Sequence, residues 1–396
     1  MGPVDRNISM MDTTSLYDLS PVGQLLLGGA ALALLPLLWV WLRNRNASPL
    51  TRHHALALLT LFLTFDLVLF GAFTRLTDSG LGCPDWPGCY GSASPIGANA
   101  KIEAAQAVMP TGPVTHGKAW VEMVHRYLAT SVGGLIVLLT VLAWRRKKVS
   151  AMSSTALLRW SVLTLVWVCI QGAFGALTVT MKLFPAIVTL HLLGGYALLA
   201  LLMVQVALVV RQQPQQIQCM VPAHLRFWVA MALAVLVVQA ASGAWVSTNY
   251  AVLACTEFPM CQGSWWPQMD IAHGFELWRP LGYGKDGSLI SFQSLTAMHF
   301  MHRLLAVVTL LLLAALAWHL RGVNATRKPS HALAALLLLQ LATGLSNVVL
   351  DWPILAAVLH TGGAGAMVVV LVWLLVSTSV ALPTKPQRTN TTERGR

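Results

Sequence analysis

IQGAFGALTVTMKLFPAIVTLHLLGG (residues 170–195) has a counterpart later in the chain, LQLATGLSNVVLDWPILAAVLHTGGA (residues 339–364). The two stretches align without a gap. Identical residues align at four notable positions: Gln171 with Gln340, Gly175 with Gly344, His191 with His360 and Gly194 with Gly363. A conserved order of such residues indicates an internal repeat, and a repeat determines how the whole chain is organised.

Two further matches extend the repeat toward the N-terminus. GAFTRLTDSGLGCPDWPGCYG (residues 71–91) aligns without a gap on GAWVSTNYAVLACTEFPMCQG (residues 243–263), and VHR (124–126) matches MHR (301–303). The matches occur in the same order in both halves. We therefore predict that the chain contains two copies of one structural unit.

The composition is that of a membrane protein. Hydrophobic residues make up 56% of the chain and charged residues only 10%, whereas soluble domains carry about 25% charged residues. The formal net charge is +12, but the basic residues lie in short clusters between apolar runs. Such clusters orient membrane helices and contact anionic lipids, so we expect a lipid bilayer and no nucleic acid as partner.

Nine apolar stretches are long enough to span a bilayer. They cover approximately residues 21–42, 55–74, 120–143, 160–180, 186–210, 226–246, 296–320, 331–350 and 354–378. Each repeat contains four of them, an even number, so both copies insert in the same direction. We predict an all-α polytopic membrane protein with two tandem parallel four-helix-bundle repeats (eight core transmembrane helices) plus one extra N-terminal transmembrane helix.

The predicted domain boundaries follow from the spans. They are 1–50 for the N-terminal tail and extra helix, 51–213 for the first repeat, 214–385 for the second and 386–396 for a cytoplasmic tail. With nine alternating helices, the main basic clusters share one side, which the positive-inside rule makes cytoplasmic. The N-terminus is then outside. The chain start lacks a cleavable signal peptide and an Arg-rich transit peptide, so we expect a bacterial inner membrane.

Four histidines repeat between the halves: His125 and His191 in the first, His302 and His360 in the second. All four lie near the outer ends of their predicted helices, at a similar depth. Paired histidines on facing helices are typical of haem ligation from both sides of the iron. A single membrane histidine usually just bonds a neighbouring helix or water, but four repeated ones favour haem.

Charged residues distinguish the first half from the second. Glu122 lies one turn before His125 on the same helix face, and His299 takes its place in the second half. A buried carboxylate costs several kcal/mol unless it is paired or neutral, which favours a catalytic role such as proton transfer. The alternative is a structural ion pair with Arg126 or Arg75.

Three arginines are candidate partners for haem propionates: Arg126 and Arg303, which follow repeated histidines, and Arg75. The alternative for Arg126 and Arg303 is a contact with lipid headgroups. Arg75 and Asp78 have no charged equivalents in the second half. This asymmetry suits one half that performs chemistry and another that holds a fixed cofactor.

Four cysteines form two pairs of equal spacing, Cys83 with Cys89 and Cys255 with Cys261, in the long outer loops. An oxidising outer compartment favours a disulfide within each loop. A metal site is the weaker interpretation, because each loop lacks further convincing ligands.

These features together resemble the haem A synthase family over roughly residues 55–378. The resemblance rests on FTRLTDSGLGCPDWPGCYG, on ExxxHR at 122–126, on the second HR at 302–303, and on the duplicated units with paired loop cysteines. The most specific of these is the block around CPDWPGC. The extra N-terminal helix lies outside the eight-helix core of that family.

The resemblance implies an enzyme that oxidises the C8 methyl of haem O to a formyl group, giving haem A for cytochrome oxidase. His125 and His191 would flank the haem O substrate. His302 and His360 would be the axial ligands of a haem b cofactor, and Glu122 matches the catalytic glutamate of the family. Haem O synthase and the cytochrome oxidase assembly pathway are the implied partners.

Two other functions fit four paired histidines. One is a di-haem b membrane cytochrome for quinone-linked electron transfer, and the other is a haem carrier or assembly factor. The charged residues confined to the first half and the CPDWP block favour the enzyme.

Overall fold

The computed structural model describes residues 20–149, 154–212 and 219–380. In this part of the chain, nine helices are long and apolar enough to cross a membrane. They are α1 (Ser20–Arg43), α2 (Pro49–Leu76), α4 (His116–Val149), α5 (Ser154–Thr180), α6 (Pro185–Arg211), α7 (Ala223–Thr248), α9 (Phe292–Leu320), α10 (Arg327–Val349) and α11 (Ile354–Ser377). The nine predicted spans are confirmed. Most of the helices are a few residues longer than the apolar runs, because polar residues at their ends continue the helix.

The two predicted units are adjacent four-helix groups. Helices α2, α4, α5 and α6 pack together in the first half, and α7, α9, α10 and α11 in the second. The halves meet where α2 and α6 contact α7 and α11. The buried core runs through this junction and includes Leu199, Leu202 and Leu371.

Residues at equivalent repeat positions touch each other across the junction. Arg75 donates a hydrogen bond to the carbonyl of Ser247, its own equivalent. The hydroxyl of Tyr250 donates to Oδ1 of Asp78, again its equivalent, over 2.7 Å. Such contacts are expected for parallel repeats related by an axis along the membrane normal, because equivalent residues then lie at one depth.

The turns of the two halves also have matching backbones. Lys182 and Leu183 have positive φ angles between α5 and α6, and so do their equivalents Asp351 and Trp352 between α10 and α11. In both disulfide loops one peptide bond before a proline is cis, Trp86–Pro87 in the first and Phe258–Pro259 in the second. The duplication therefore includes irregular segments as well as helices.

The extra helix α1 packs against α4 of the first half. At Gly29 a Cβ atom would lie 2.7 Å from the side chain of Thr130, so glycine permits this close approach. The hydroxyl of Ser131 donates to the Gly29 carbonyl over 2.7 Å. Much of the remaining surface of α1 is exposed leucine and tryptophan, as expected for a helix that faces lipid.

Several short elements have no counterpart among the predicted spans. Helix α3 (Asn99–Val108) and the single turn α8 (Ile271–Gly274) lie in the outer loops, with a 3₁₀ turn at Ala251–Ala254. Two strands, β1 (Cys219–Val221) and β2 (Thr378–Val380), pair in parallel and join the start of the second half to its end. The predicted domain limits stay predictions. The N-terminal tail up to residue 19 and the tail 386–396 lie outside the described residues.

Each outer loop closes through a disulfide, Cys83–Cys89 in the first half and Cys255–Cys261 in the second, with Cα atoms 4.8 Å apart in both. The two predicted disulfides are confirmed, and the metal-site interpretation of these cysteines is wrong.

The arginine of each HR pair holds the disulfide loop above it. In the second half, Arg303 donates to the carbonyl oxygens of Cys255, Glu257 and Met260 at 2.7, 2.7 and 3.2 Å. In the first half, Arg126 donates to the carbonyls of Pro87, over 3.0 Å, and Gly88. A guanidinium suits this task because it presents several donors in a fixed fork.

We predict that Arg303→Ala loosens the second disulfide loop without breaking its disulfide. Three hydrogen bonds are lost, and each contributes about 1 kcal/mol, so amide exchange at Cys261 and Ser264 should accelerate by roughly 10-fold or more. Hydrogen exchange with mass spectrometry on the oxidised protein measures this. Arg321→Ala, at the far end of the same helix, is the matched control. Unchanged exchange in Arg303→Ala would show that the arginine does not anchor the loop.

Candidate haem-binding site

The four repeated histidines occupy equivalent places on their helices. His125 stands nine residues after the first residue of α4, and His302 stands ten after the first residue of α9. His191 and His360 each stand six residues into α6 and α11. At about 1.5 Å per residue, the equivalents lie at nearly the same depth.

The histidines form one pair in each half. His125 lies close enough to His191, and His302 to His360, for the two rings of each pair to interact electrostatically. Each pair joins the second spanning helix of its half to the fourth. The expected arrangement of two imidazoles on different helices of one bundle is therefore present in both halves.

A glycine on the preceding spanning helix faces each imidazole. A Cβ added at any of these glycines would lie against the ring: 3.0 Å from Nε2 of His125 at Gly71, 3.5 Å from Cε1 of His191 at Gly175, 2.9 Å from Cε1 of His302 at Gly243, and 3.1 Å from Cε1 of His360 at Gly344. Larger residues would press on the rings. The glycines therefore let each imidazole lie close to the backbone of the neighbouring helix.

The histidines of the second half have hydrogen-bonded Nδ1 atoms. Nδ1 of His302 lies 2.8 Å from the Ser242 hydroxyl, and Nδ1 of His360 lies 3.0 Å from the Thr343 hydroxyl. In the first half, Nδ1 of His191 is buried and has no partner among the described residues. The two pairs therefore share their placement but differ in their surroundings.

The donor set fits haem iron better than a bare metal ion. Within the described residues there is no group of three or more His, Cys, Asp or Glu that could hold a metal ion. Two imidazoles in each half, each beside a glycine, match the two axial positions of a haem. The residues present thus fit one haem in each half.

Glu122 is buried at the top of the first half, where it is bonded to Arg126 and to the backbone of Gly82 and Cys83. Its Oε1 forms an ion pair with Arg126 one turn further along α4. Its Oε2 accepts a hydrogen bond from the backbone N–H of Cys83 over 2.8 Å. The ion pair named as the structural alternative therefore exists, and the carboxylate also fastens the disulfide loop to α4. These contacts leave its catalytic role a prediction.

The second half has no such carboxylate. His299, at the position of Glu122, is buried, and its Nδ1 has no partner among the described residues. Among the described residues Arg303 has no acidic partner comparable to Glu122, and it bonds backbone carbonyls instead. The two halves therefore differ in charge at one buried position, which holds a carboxylate in the first half and an imidazole in the second.

Arg75 lies at the junction of the halves. It stacks on the Tyr250 ring, with Cζ 4.0 Å from the ring centroid, and bonds Asp78 over 3.4 Å. Burial raises the pKa of Tyr250, and the neighbouring Arg75 opposes that effect. The neutral tyrosine donates to Asp78, so the three side chains link the halves at the outer surface.

The three arginines predicted as propionate partners are all engaged by protein groups. Arg126 and Arg303 hold the disulfide loops, and Arg75 holds the junction. One donor is still available, because Nε of Arg303 is buried and has no partner among the described residues. A propionate role for these arginines stays a prediction.

Sequence reasoning did not single out several residues that contact the histidines. The four glycines, Ser242 and Thr343 are among them. Gly71 and Gly243 begin one aligned block, and Gly175 and Gly344 were paired in another, so the alignment contained a signal for them. Nothing in the sequence alone linked each glycine to a particular histidine.

Comparison with known proteins agrees with this site. Residues 54–372 match the sequence model of the COX15-CtaA family, described as cytochrome oxidase assembly protein. A haem A synthase from Shewanella oneidensis is 36% identical over 321 residues, which is 79% of this chain and 93% of that protein. A haem A synthase from Halalkalibacterium halodurans is 27% identical over 300 residues, 74% of this chain and 86% of that protein.

The match covers both four-helix units, both disulfide loops and all four histidines. Helix α1 precedes it. The family model spans most of the chain, and the Shewanella protein is more than 30% identical over nearly its full length. The chain therefore belongs to the COX15-CtaA family of cytochrome oxidase assembly proteins.

Proposed function

We propose that the protein is a haem A synthase that oxidises the C8 methyl of haem O in its first half and holds haem b in its second. Conversion of haem O to haem A is supported by the family match and by the haem A synthases among its relatives. The division of labour between the halves is our inference from their side chains.

One observation carries this division. Both halves pair two histidines. Within the part of the chain that the structure describes, a buried carboxylate stands one turn from one of these histidines in the first half and not in the second. A carboxylate can accept or donate a proton during oxidation, or stabilise a developing positive charge. A site that merely passes electrons needs neither. The acid beside His125 therefore supports the first half as the place of the chemistry.

In this proposal His125 and His191 bind the haem O iron and orient the substrate, so that its methyl group lies within reach of Glu122. With water as the oxygen source, each of two hydroxylations replaces a C–H bond of the methyl by a C–O bond and releases two protons and two electrons, which an external membrane oxidant such as a quinone accepts. The resulting gem-diol loses water to give the formyl group. Glu122 moves a proton during these steps. Arg126 and the N–H of Cys83 hold the carboxylate in place for this task.

His302 and His360 would hold haem b, which when bound would supply an iron centre that accepts and passes on electrons. Arg303, through its unpartnered Nε, and Arg75 and Arg126 are the proposed propionate partners. The alternative of a di-haem cytochrome without a substrate site gives no role to the buried Glu122.

We further propose a bacterial inner membrane location, with the N-terminus and the disulfide loops outside and the C-terminus in the cytoplasm. The basic connections 43–52 and 321–328 support this orientation, and so do disulfides at the opposite ends of the helices. Haem O is insoluble in water, so direct delivery from a haem O synthase in the same membrane is the expected source of substrate.

The first experiment tests the activity itself. We predict that the protein, expressed with a haem O synthase in a host that lacks haem A, yields haem A among the extracted pigments. Chromatography and mass spectrometry of acidified acetone extracts measure this. The host carrying the haem O synthase alone is the control. Pigments limited to haem B and haem O would favour the di-haem cytochrome.

The second prediction concerns Glu122. Glu122→Gln keeps an oxygen that accepts from Cys83 but removes the charge, so we expect unchanged haem content and a conversion rate about 10²- to 10⁴-fold lower. Glu122→Ala also removes the anchor of the loop. Glu103→Gln, an exposed carboxylate on the same side of the protein, is the control. Full conversion by Glu122→Gln would leave Glu122 a purely structural role.

The third prediction assigns the halves. The purified protein should give a low-spin spectrum with two histidine ligands from haem b, which His302→Ala or His360→Ala abolishes and His125→Ala retains. Visible absorption and electron paramagnetic resonance spectra distinguish these outcomes. Loss of the signal in His125→Ala with retention in His302→Ala would reverse the assignment.

A further inference from the structure

Each histidine of the second half faces a hydroxyl group that donates its own hydrogen to a backbone carbonyl. Ser242 donates its hydroxyl hydrogen to the carbonyl of Gln239 over 2.8 Å, and Thr343 donates to the carbonyl of Leu339 over 2.7 Å. Each oxygen can then only accept a hydrogen bond from the imidazole that it faces. We therefore assign the hydrogen of both rings to Nδ1, which leaves the lone pair on Nε2 free for a metal.

The carboxamide of Gln239 adds to this arrangement at His302. Its Nε2 lies 3.2 Å from the same Nδ1 and donates to the backbone carbonyl of His302 over 3.4 Å, so the carboxamide packs beside the ring. Its Oε1 has no partner among the described residues. An imidazole whose N–H donates to a hydroxyl oxygen is fixed in orientation and is a more basic ligand.

The first half has different residues at all three positions. The repeat alignment pairs Ser242 with Phe70, Thr343 with Phe174 and Gln239 with Leu67. None of these can accept a hydrogen bond. Phe70 stacks on His125, with ring centroids 6.3 Å apart and planes inclined by 11°, and Nδ1 of His191 is unpartnered among the described residues.

We propose that Ser242 and Thr343 are positioning residues that make the second half a permanent haem site, and that Phe70 and Phe174 make the first half a site from which haem departs. This inference rests on the proposed function, in which one haem is a cofactor and the other is turned over. A product must leave, so weaker axial ligands suit the first half. A cofactor must stay, so oriented and more basic imidazoles suit the second.

The test measures haem retention and potential, which do not depend on haem A formation. Full-length Ser242→Ala and Thr343→Val, purified with haem b, are mixed with excess apomyoglobin, and the rate of haem transfer is followed by absorbance. We expect the rate of haem transfer to rise about 10- to 100-fold, because the loss of a hydrogen-bond partner of a metal-ligating histidine typically weakens metal binding by that factor. The midpoint potential of the low-spin haem should shift upward, because a less basic imidazole stabilises the ferric form less.

Conservative and reciprocal variants separate positioning from packing. Ser242→Thr and Thr343→Ser keep the hydroxyl acceptor and should keep the wild-type haem retention and midpoint potential. Thr343→Val keeps the side-chain shape without the acceptor and should lose both. In the first half, Phe174→Thr should increase the amount of haem that copurifies. Wild-type transfer rates and potential in both Ser242→Ala and Thr343→Val would overturn the inference.

The outcomes also separate this inference from the proposed function. If the protein forms haem A and the variants retain haem as well as the wild type does, the positioning role is rejected and the proposed function stands. Faster haem loss in the variants of a protein that makes no haem A supports the positioning role and rejects the synthase. If Ser242→Ala does not fold, the isosteric Thr343→Val decides the result.

Discussion

Polar groups in the hydrocarbon region of a bilayer have to find their hydrogen-bond partners within the protein, because lipid tails offer none. It applies to Glu122 and Arg126, which are buried in the spanning helix α4, and the disulfide loop supplies their backbone partners. The carbonyls of the two disulfide loops accept from Arg126 and Arg303, and in the first half the N–H of Cys83 donates to Glu122. The loops fold back onto the helix ends, and the same charged residues then become available for chemistry at the top of each bundle.

Duplication gives the molecule two sites with one geometry, and divergence gives them different chemistry. The histidines, the glycines beside them and the loop-anchoring arginines are retained in both halves. The halves differ at positions around the histidines. Glu122 is replaced by His299 one turn before His302, Phe70 beside His125 is replaced by Ser242 beside His302, and Phe174 is replaced by Thr343, which bonds His360. The halves also differ at their junction. There Arg75 donates to the backbone carbonyl of its equivalent Ser247, and Asp78 accepts from the hydroxyl of its equivalent Tyr250.

Hydropathy and the repeat predicted much of this fold. Nine spans and two disulfides follow from runs of apolar residues and from matched cysteine spacing, and the two parallel units stay a prediction with which the helix packing is consistent. Short elements escaped prediction because α3 and α8 have no long period, and because β1 pairs with a strand more than 150 residues away in the sequence. The anchoring role of Arg126 and Arg303 also escaped it. Their acceptors are backbone carbonyls, whose positions depend on how the loop folds rather than on which residues it contains.

The contacts of Glu122 show why a structural and a chemical role need not exclude each other. A carboxylate free in an apolar site would cost several kcal/mol, and a carboxylate fully enclosed by donors could not reach a substrate. Glu122 has one oxygen on Arg126 and the other on the N–H of Cys83, which together fix its position. Each carboxylate oxygen can accept more than one hydrogen bond, so capacity for a further proton donor remains. The anchoring contacts are therefore what holds the acid beside His125. The second half, which has His299 in place of the acid, holds its loop through Arg303 and through the hydrogen bond from Gln262 to Thr296.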